Sequence, residues 1–146
     1  MSVTVDDSAV MAEISAMIER LAHPEQLLEM VGTWQEHRIE ERIETTKISP
    51  DGVPWADWQL RTLKNRQAKP STLHRGLLWD EGVLLGSFGF EVNGNGVEIG
   101  THLDYAKALQ DGYGNMAARE FVGWSPEDLE QLDMMATAFI ETGAMP

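Results

Sequence analysis

Residues 87–100 impose the tightest constraint on how this chain can fold. Ser87-Phe88-Gly89-Phe90-Glu91-Val92 alternates, and so does Val97-Glu98-Ile99-Gly100, which is the two-residue period of a strand with one covered face. Between them stands Asn93-Gly94-Asn95-Gly96, whose asparagines and glycines supply the positive φ angles of tight hairpin turns. The segment predicts a β-hairpin. Most of the remaining apolar residues recur at helical spacing, so the expected fold is α+β: N-terminal helices, a small antiparallel sheet containing this hairpin, and a C-terminal helix.

The helices are read from their caps and stripes. Asp6, Asp7 and Ser8 are candidate N-caps for a first helix. Val10, Met11, Ile14, Met17, Ile18 and Leu21 make one apolar face of it. Pro24 ends that helix or opens the next. A longer helix is expected from Pro24 to about Lys47, with Leu27, Leu28, Met30, Val31, Trp34, Arg38, Ile39 and Ile43 on its stripe. Glu36, Glu40, Glu41 and Glu44 are expected at solvent, with Arg38 and Arg42 among them. At ~36 Å this helix is long for its core partners, and part of it is expected to pack on a neighbouring subunit.

Ser49-Pro50-Asp51-Gly52-Val53-Pro54-Trp55 reads as an ordered turn anchored by its tryptophan. A short helix is expected from Asp57 to about Gln67, another over 73–80, and another from Tyr105 to Gly112. Phe121-Val122 reads as a strand or an extended run. At the far end, Ser125 caps a helix with Pro126 in its first position and Glu127 and Asp128 in its first turn. Leu129, Leu132, Met135, Ala136, Phe139 and Ile140 form its stripe, and Gly143 stops it.

A chain of 146 residues fits one domain, divided here into a helical part (1–48) and an α+β part (49–146). It holds no cysteine, which excludes disulfides and thiolate catalysis. No apolar run approaches the ~20 residues of a membrane span, and the first residues lack the basic start and apolar core of a signal peptide. No membrane partner is expected. Twenty-four acids against eleven bases give a net charge of −13, which repels phosphate backbones and argues against nucleic-acid binding as the main task. Solubility alone accounts for such a charge; an acidic face turned toward passing DNA is the functional alternative. Arg61, Lys64, Arg66, Lys69 and Arg75 form a run without an acid between them, either a solvated face or a docking patch for an acidic neighbour, another copy of the chain included.

Catalytic and cofactor patterns are not evident. Gly94, Gly96 and Gly100 have the wrong spacing for a phosphate or dinucleotide loop and belong to the hairpin. His23, His37, His74 and His102 stand apart, without metal-ligand spacing. Capping accounts for Ser125, and no spacing selects a carboxylate pair for acid–base work. Trp34, Trp55, Trp58, Trp79 and Trp124 read as core or interface anchors. No cofactor, no metal and no enzymatic activity are expected.

From Ser49 to about residue 135 the chain resembles the phage virion morphogenesis or tail-completion family of Mu-like and P2-like phages. The resemblance is carried, in order, by Ser49–Trp55; by Gly82, Leu84 and Ser87; by Val97-Glu98-Ile99-Gly100; by Tyr105-Ala106, Gln110 and Gly112; by Ala118-Arg119, Phe121 and Gly123; and by Ser125-Pro126-Glu127-Asp128. It departs from the family pattern at Glu81, Leu109 and Ala117. The resemblance implies a structural role in completing the tail or joining tail to head, in the phage neck or tail of the virion. It implies a homo-oligomeric ring, a hexamer by analogy with the tail axis, with other neck and tail proteins as partners and DNA passing through without specific binding. An assembly factor absent from the mature particle and a small acidic protein-binding module are the alternatives. Trp55, Tyr105 and Phe121 are aromatic anchors beside turns, and Arg119 suits a fixed carboxylate or carbonyl partner, a subunit boundary included. Arg61, Lys64 and Arg66 are the candidate docking cations.

Overall fold

The computed structural model describes residues 8–69, 76–78 and 81–144. Among them, five α-helices accompany one two-stranded antiparallel sheet, an α+β fold. The elements are α1 (Ser8–Ala22), α2 (Glu25–Glu41), α3 (Leu60–Gln67), β1 (Phe88–Asn93), β2 (Gly96–Thr101), α4 (Ala106–Asp111) and α5 (Pro126–Thr142). α2 continues into a π-helical turn, Arg42–Thr46, that ends at Lys47 with φ 55°, so the long helix closes where its stripe ends. The candidate caps Asp6 and Asp7 lie outside the described residues, as do His74, Arg75, Trp79 and most of the helix expected over 73–80.

The hairpin forms as predicted, with Asn93 and Gly96 of the turn segment paired as the last residues of the strands. Phe88 faces Thr101, Phe90 faces Ile99 and Val92 faces Val97, and Asn93 opposite Gly96 closes a two-residue loop. Gly94 has φ 60° while Asn95 has no positive φ, the pattern of a type II′ turn. The sheet packs on α2, where Gly32 lets the Phe90 ring approach: a Cβ built on Gly32 would lie 2.4 Å from the ring. Gly32→Ala should therefore destabilise the chain by about 1–3 kcal/mol through overpacking, although alanine gains roughly 1 kcal/mol of helix propensity. Urea unfolding checks this, and a stabilised variant would mean that the ring yields freely.

The core gathers Ile39, Ile43, Trp55, Leu84, Phe88, Ala106 and Phe121. The Phe88 and Phe121 rings meet edge to face, with centroids 5.6 Å apart. Trp55 is locked by its indole N–H, which donates to the Glu120 carbonyl at 3.0 Å and to Ser49 Oγ at 3.1 Å. The preceding turn is ordered as predicted: Ser49 N donates to the Val53 carbonyl, and Gly52 N to the Ser49 carbonyl, both at 2.9 Å.

Two elements show more than the sequence pattern discloses. Phe121-Val122, read as a strand or an extended run, joins no strand, and the chain bends at Val122. Gln110 Oε1 accepts from both backbone N–H groups, at 2.9 and 3.1 Å, and its Nε2 donates to the Val122 carbonyl at 2.8 Å. One side chain thus satisfies the donors and acceptor that a neighbouring strand would otherwise engage. The second is α1. The helix forms over the expected residues, but it buries none of them, and Val10, Met11, Ile14, Ile18 and Leu21 are exposed. It is held to α5 from one side, where Arg20 donates to the carbonyls of Ile140 at 2.6 Å and Glu141 at 2.9 Å.

α5 begins with a full capping box. Asp128 N donates to Ser125 Oγ at 3.0 Å, and Ser125 N donates back to Asp128 Oδ2 at 2.9 Å. Ser125→Ala should cost about 1 kcal/mol and leave the fold intact. An intact fold that loses an enzymatic activity would contradict a purely structural Ser125.

Candidate functional site

A cleft of about 800 Å³ is built by four short segments. One wall is the stretch from Ala56 into α3, and another is formed by Leu78, Glu81, Val83 and Leu84. The third is α4 with Tyr105 and Leu109, and the floor is the loop 115–119. That loop is fixed by local geometry. Tyr113 and Met116 exchange backbone hydrogen bonds of 2.9 and 3.1 Å. Gly112 precedes them with φ 79°, where a Cβ would fall 2.8 Å from the Met116 carbonyl oxygen, so only glycine fits.

Arg66, Tyr105 and Arg119, singled out on separate grounds, converge here. Arg119 ties the floor to one wall: its Nε donates to the Ala56 carbonyl at 3.0 Å and a terminal nitrogen donates to that of Asp57 at 3.1 Å. Its fixed partners are carbonyls of its own chain. Burial lowers its pKa, opposed by Asp57. Arg66 stacks over the Trp58 ring at 4.9 Å, a cation–π contact. Tyr105 is half-exposed. Arg61 and Lys64 lie on α3, exposed, and make no ion pair among the described residues. Trp55 and Phe121 are core residues and do not line the cleft. Of the other tryptophans, Trp34 and Trp58 are half-buried and Trp124 is exposed. No His, Asp and Glu group suited to a metal occurs among the described residues, and none of their helices is long and apolar enough to cross a membrane.

A second constellation escaped the sequence reading. Arg42 is buried rather than solvated, and Arg38 turns inward beside it. Arg38 Nε donates to Asp128 Oδ1 at 2.9 Å, and Arg42 pairs with Asp128 Oδ2. Arg42 also donates to the carbonyls of Phe121 at 3.2 Å and Gly123 at 2.9 Å. Burial alone would raise the Asp128 pKa, but the Ser125 backbone N–H, Arg38 and Arg42 outweigh it and hold the carboxyl below its ordinary value. The i, i+4 spacing of Arg38 and Arg42 put them on one face, a signal equally suited to solvated partners of Glu41 and Glu44. Lys47 is the other hidden cation. Burial pushes its amine down to about 8, opposed by Glu44, while its Nζ donates to the carbonyls of Ile43 and Leu77.

The described residues offer two kinds of surface: a largely apolar cleft beside α3, and the exposed apolar face of α1. The family pattern of phage virion morphogenesis proteins matches residues 5–140, nearly the whole chain. The chain belongs to the phage virion morphogenesis family, and so is a bacteriophage protein of virion assembly. No curated protein matches it, and no solved structure does.

Proposed function

We propose that the chain is a non-enzymatic structural subunit of the virion, acting in tail completion or head–tail joining as part of a closed ring. The match to the family pattern over residues 5–140 carries this reading. The uncovered apolar face of α1 and the cleft beside α3 agree with it, because a subunit destined for an assembly keeps such surfaces free of its own fold. Its partners are further copies of itself, six around the tail axis, together with other neck and tail proteins of the virion. Native mass spectrometry of the purified protein, alone and mixed with tail tubes, tests the ring. Mass analysis of purified virions tests residence in the particle: a chain absent from mature virions is an assembly factor instead.

The acidic surplus fits a wall that DNA passes without adhering. Glu36, Glu40, Glu41 and Glu44 stand on α2 and the turn that extends it, and Glu127, Glu130 and Asp133 stand on α5, which packs against α2. At least one of these clusters should line the channel of the ring, since duplex DNA carries a charge every ~1.7 Å of its axis and would be braked by a basic wall. The isolated protein should accordingly show no duplex binding at physiological salt. Tight binding there, or a ring with both clusters on its outer rim, would leave solubility as the reason for the charge.

A further inference from the structure

Among the described residues the sheet is the hairpin alone, so each of its strands has an outer edge. The two-residue loop makes Asn93 and Gly96 a hydrogen-bonded pair, and bonded pairs alternate with unbonded ones down an antiparallel ladder. The backbone groups of Glu91 and Glu98 therefore bond to each other. Those of Phe90 and Val92 point outward from β1, and those of Val97 and Ile99 point outward from β2. No hydrogen bond from the described residues reaches the backbone N–H or C=O of any of these four.

Folded chains usually blunt an open edge with a lysine, a proline, a bulge or a covering segment. Neither strand holds a lysine or a proline, and the register runs unbroken from Phe88–Thr101 to Asn93–Gly96, without a bulge. The charges of the hairpin, Glu91 and Glu98, stand on its exposed face, one position off the residues whose amides are open. The same chain covers the amides of Phe121 and Val122 with Gln110. The hairpin edges have no such cover.

A strand from an unrelated protein would cover one edge and leave the other bare. Further copies of the chain cover both. β1 and β2 are each six residues long and antiparallel within the hairpin. A neighbour that continues the sheet in the same sense therefore presents its β1 antiparallel to β2. Phe90, Val92, Val97 and Ile99 share one side of the sheet by alternation. That is the side on which Phe90 meets Gly32 of α2, so joined hairpins keep a single apolar face over their helices. A slip of two residues sets Glu98 of one subunit opposite Gly89 of the next, and Gly96 opposite Glu91, which keeps like charges from facing each other.

We infer that β2 of one subunit pairs with β1 of the next, joining the hairpins into one sheet that runs around the assembly. The inference rests on the ring reading. The two edges are different surfaces that meet head to tail, as a closed ring requires. Pairing β1 with β1 would be two-fold and would leave the β2 edges bare.

Hydrogen exchange on the unaltered protein reads the contact without a variant. Phe90 and Ile99 lie mid-edge, and their amides are bonded whether the strands align directly or slip by two residues. Both should exchange roughly tenfold or more slowly in the assembled ring than in the diluted monomer. Proline then separates the two edges, because at an outward position it removes only the open N–H and leaves the ladder of the hairpin intact. Phe90→Pro should lose the β1 edge and Ile99→Pro the β2 edge. Native mass spectrometry should find each alone as a monomer and the two mixed as one-to-one dimers. Phe90→Ala and Ile99→Ala, which lose the same side chains and keep the amide, should still assemble. A proline variant that dimerises alone, or assembles as its alanine counterpart does, overturns the inference. If these substitutions unfold the subunit, the exchange rates of the parent decide. Rings of the parent in which both amides exchange as in the monomer overturn the joined sheet and leave the ring standing. A parent that stays monomeric, alone and with tail tubes, overturns both, and protection of these amides by the tubes would then assign the added strand to another virion protein.

Discussion

Replacing Asp128 with alanine is expected to cost about 3–5 kcal/mol, the usual penalty for removing one partner of a buried ion pair. A domain of this size holds only roughly 5–15 kcal/mol in total, so the variant should be close to unfolding at room temperature. The cost has two sources. Arg42 would keep its charge in a buried site, with only the Phe121 and Gly123 carbonyls to hold it, and the Ser125 backbone N–H would lose its acceptor at the start of α5. Asp128→Asn keeps the volume and an acceptor oxygen, so it should lose less. The same carboxylate sets a pH dependence. Its folded pKa lies below its ordinary value of 3.8, so its contribution is complete above that value and disappears as pH falls through the lowered one. Urea unfolding from pH 7 down to pH 2 should show an acid limb that is shallower in Asp128→Asn. A change in Asp128→Ala within about 0.5 kcal/mol, the range of an ordinary surface substitution, would mean that the pair is not formed in solution.

Phe121→Ala is expected to cost a similar amount, about 3–5 kcal/mol, for a different reason. Phe121 is 1% exposed and stands edge to face with Phe88 in the core. Truncating it opens a cavity in the cluster that also holds Trp55 and Leu84. The loss should appear in the isolated subunit, in the unfolding midpoint and independent of protein concentration. A variant that folds as firmly as the parent but fails to assemble would instead make Phe121 a contact residue.

These two sites differ in how far the sequence could disclose them. The hairpin, the Ser125 cap and the 49–55 turn are local: each is decided by residues within a few positions of one another, and each forms as read. The pairing of Asp128 with Arg38 and Arg42 spans 90 and 86 residues. Asp128 in a first turn reads as a dipole partner, and Arg42 among glutamates reads as solvated; only the packing of α5 on α2 brings them together. The stripe of α1 was legible as an apolar face, but periodicity says nothing about what covers a face. Arg66, Tyr105 and Arg119 were each chosen for separate reasons, and their convergence on one cleft depends on loops whose paths no spacing rule fixes.

The Gln110 bracket around Phe121 and Val122 has a consequence for a protein that works in crowded company. An apolar segment with open amides is a template on which another chain can add a strand, and a protein of virion assembly meets other chains at high local concentration. Here both N–H groups and the Val122 carbonyl are already taken by one glutamine of the same chain, and Arg42 holds the Phe121 carbonyl. A neighbour would have to displace all of these bonds before it could pair with this stretch. The segment is thereby silenced as a polymerisation seed.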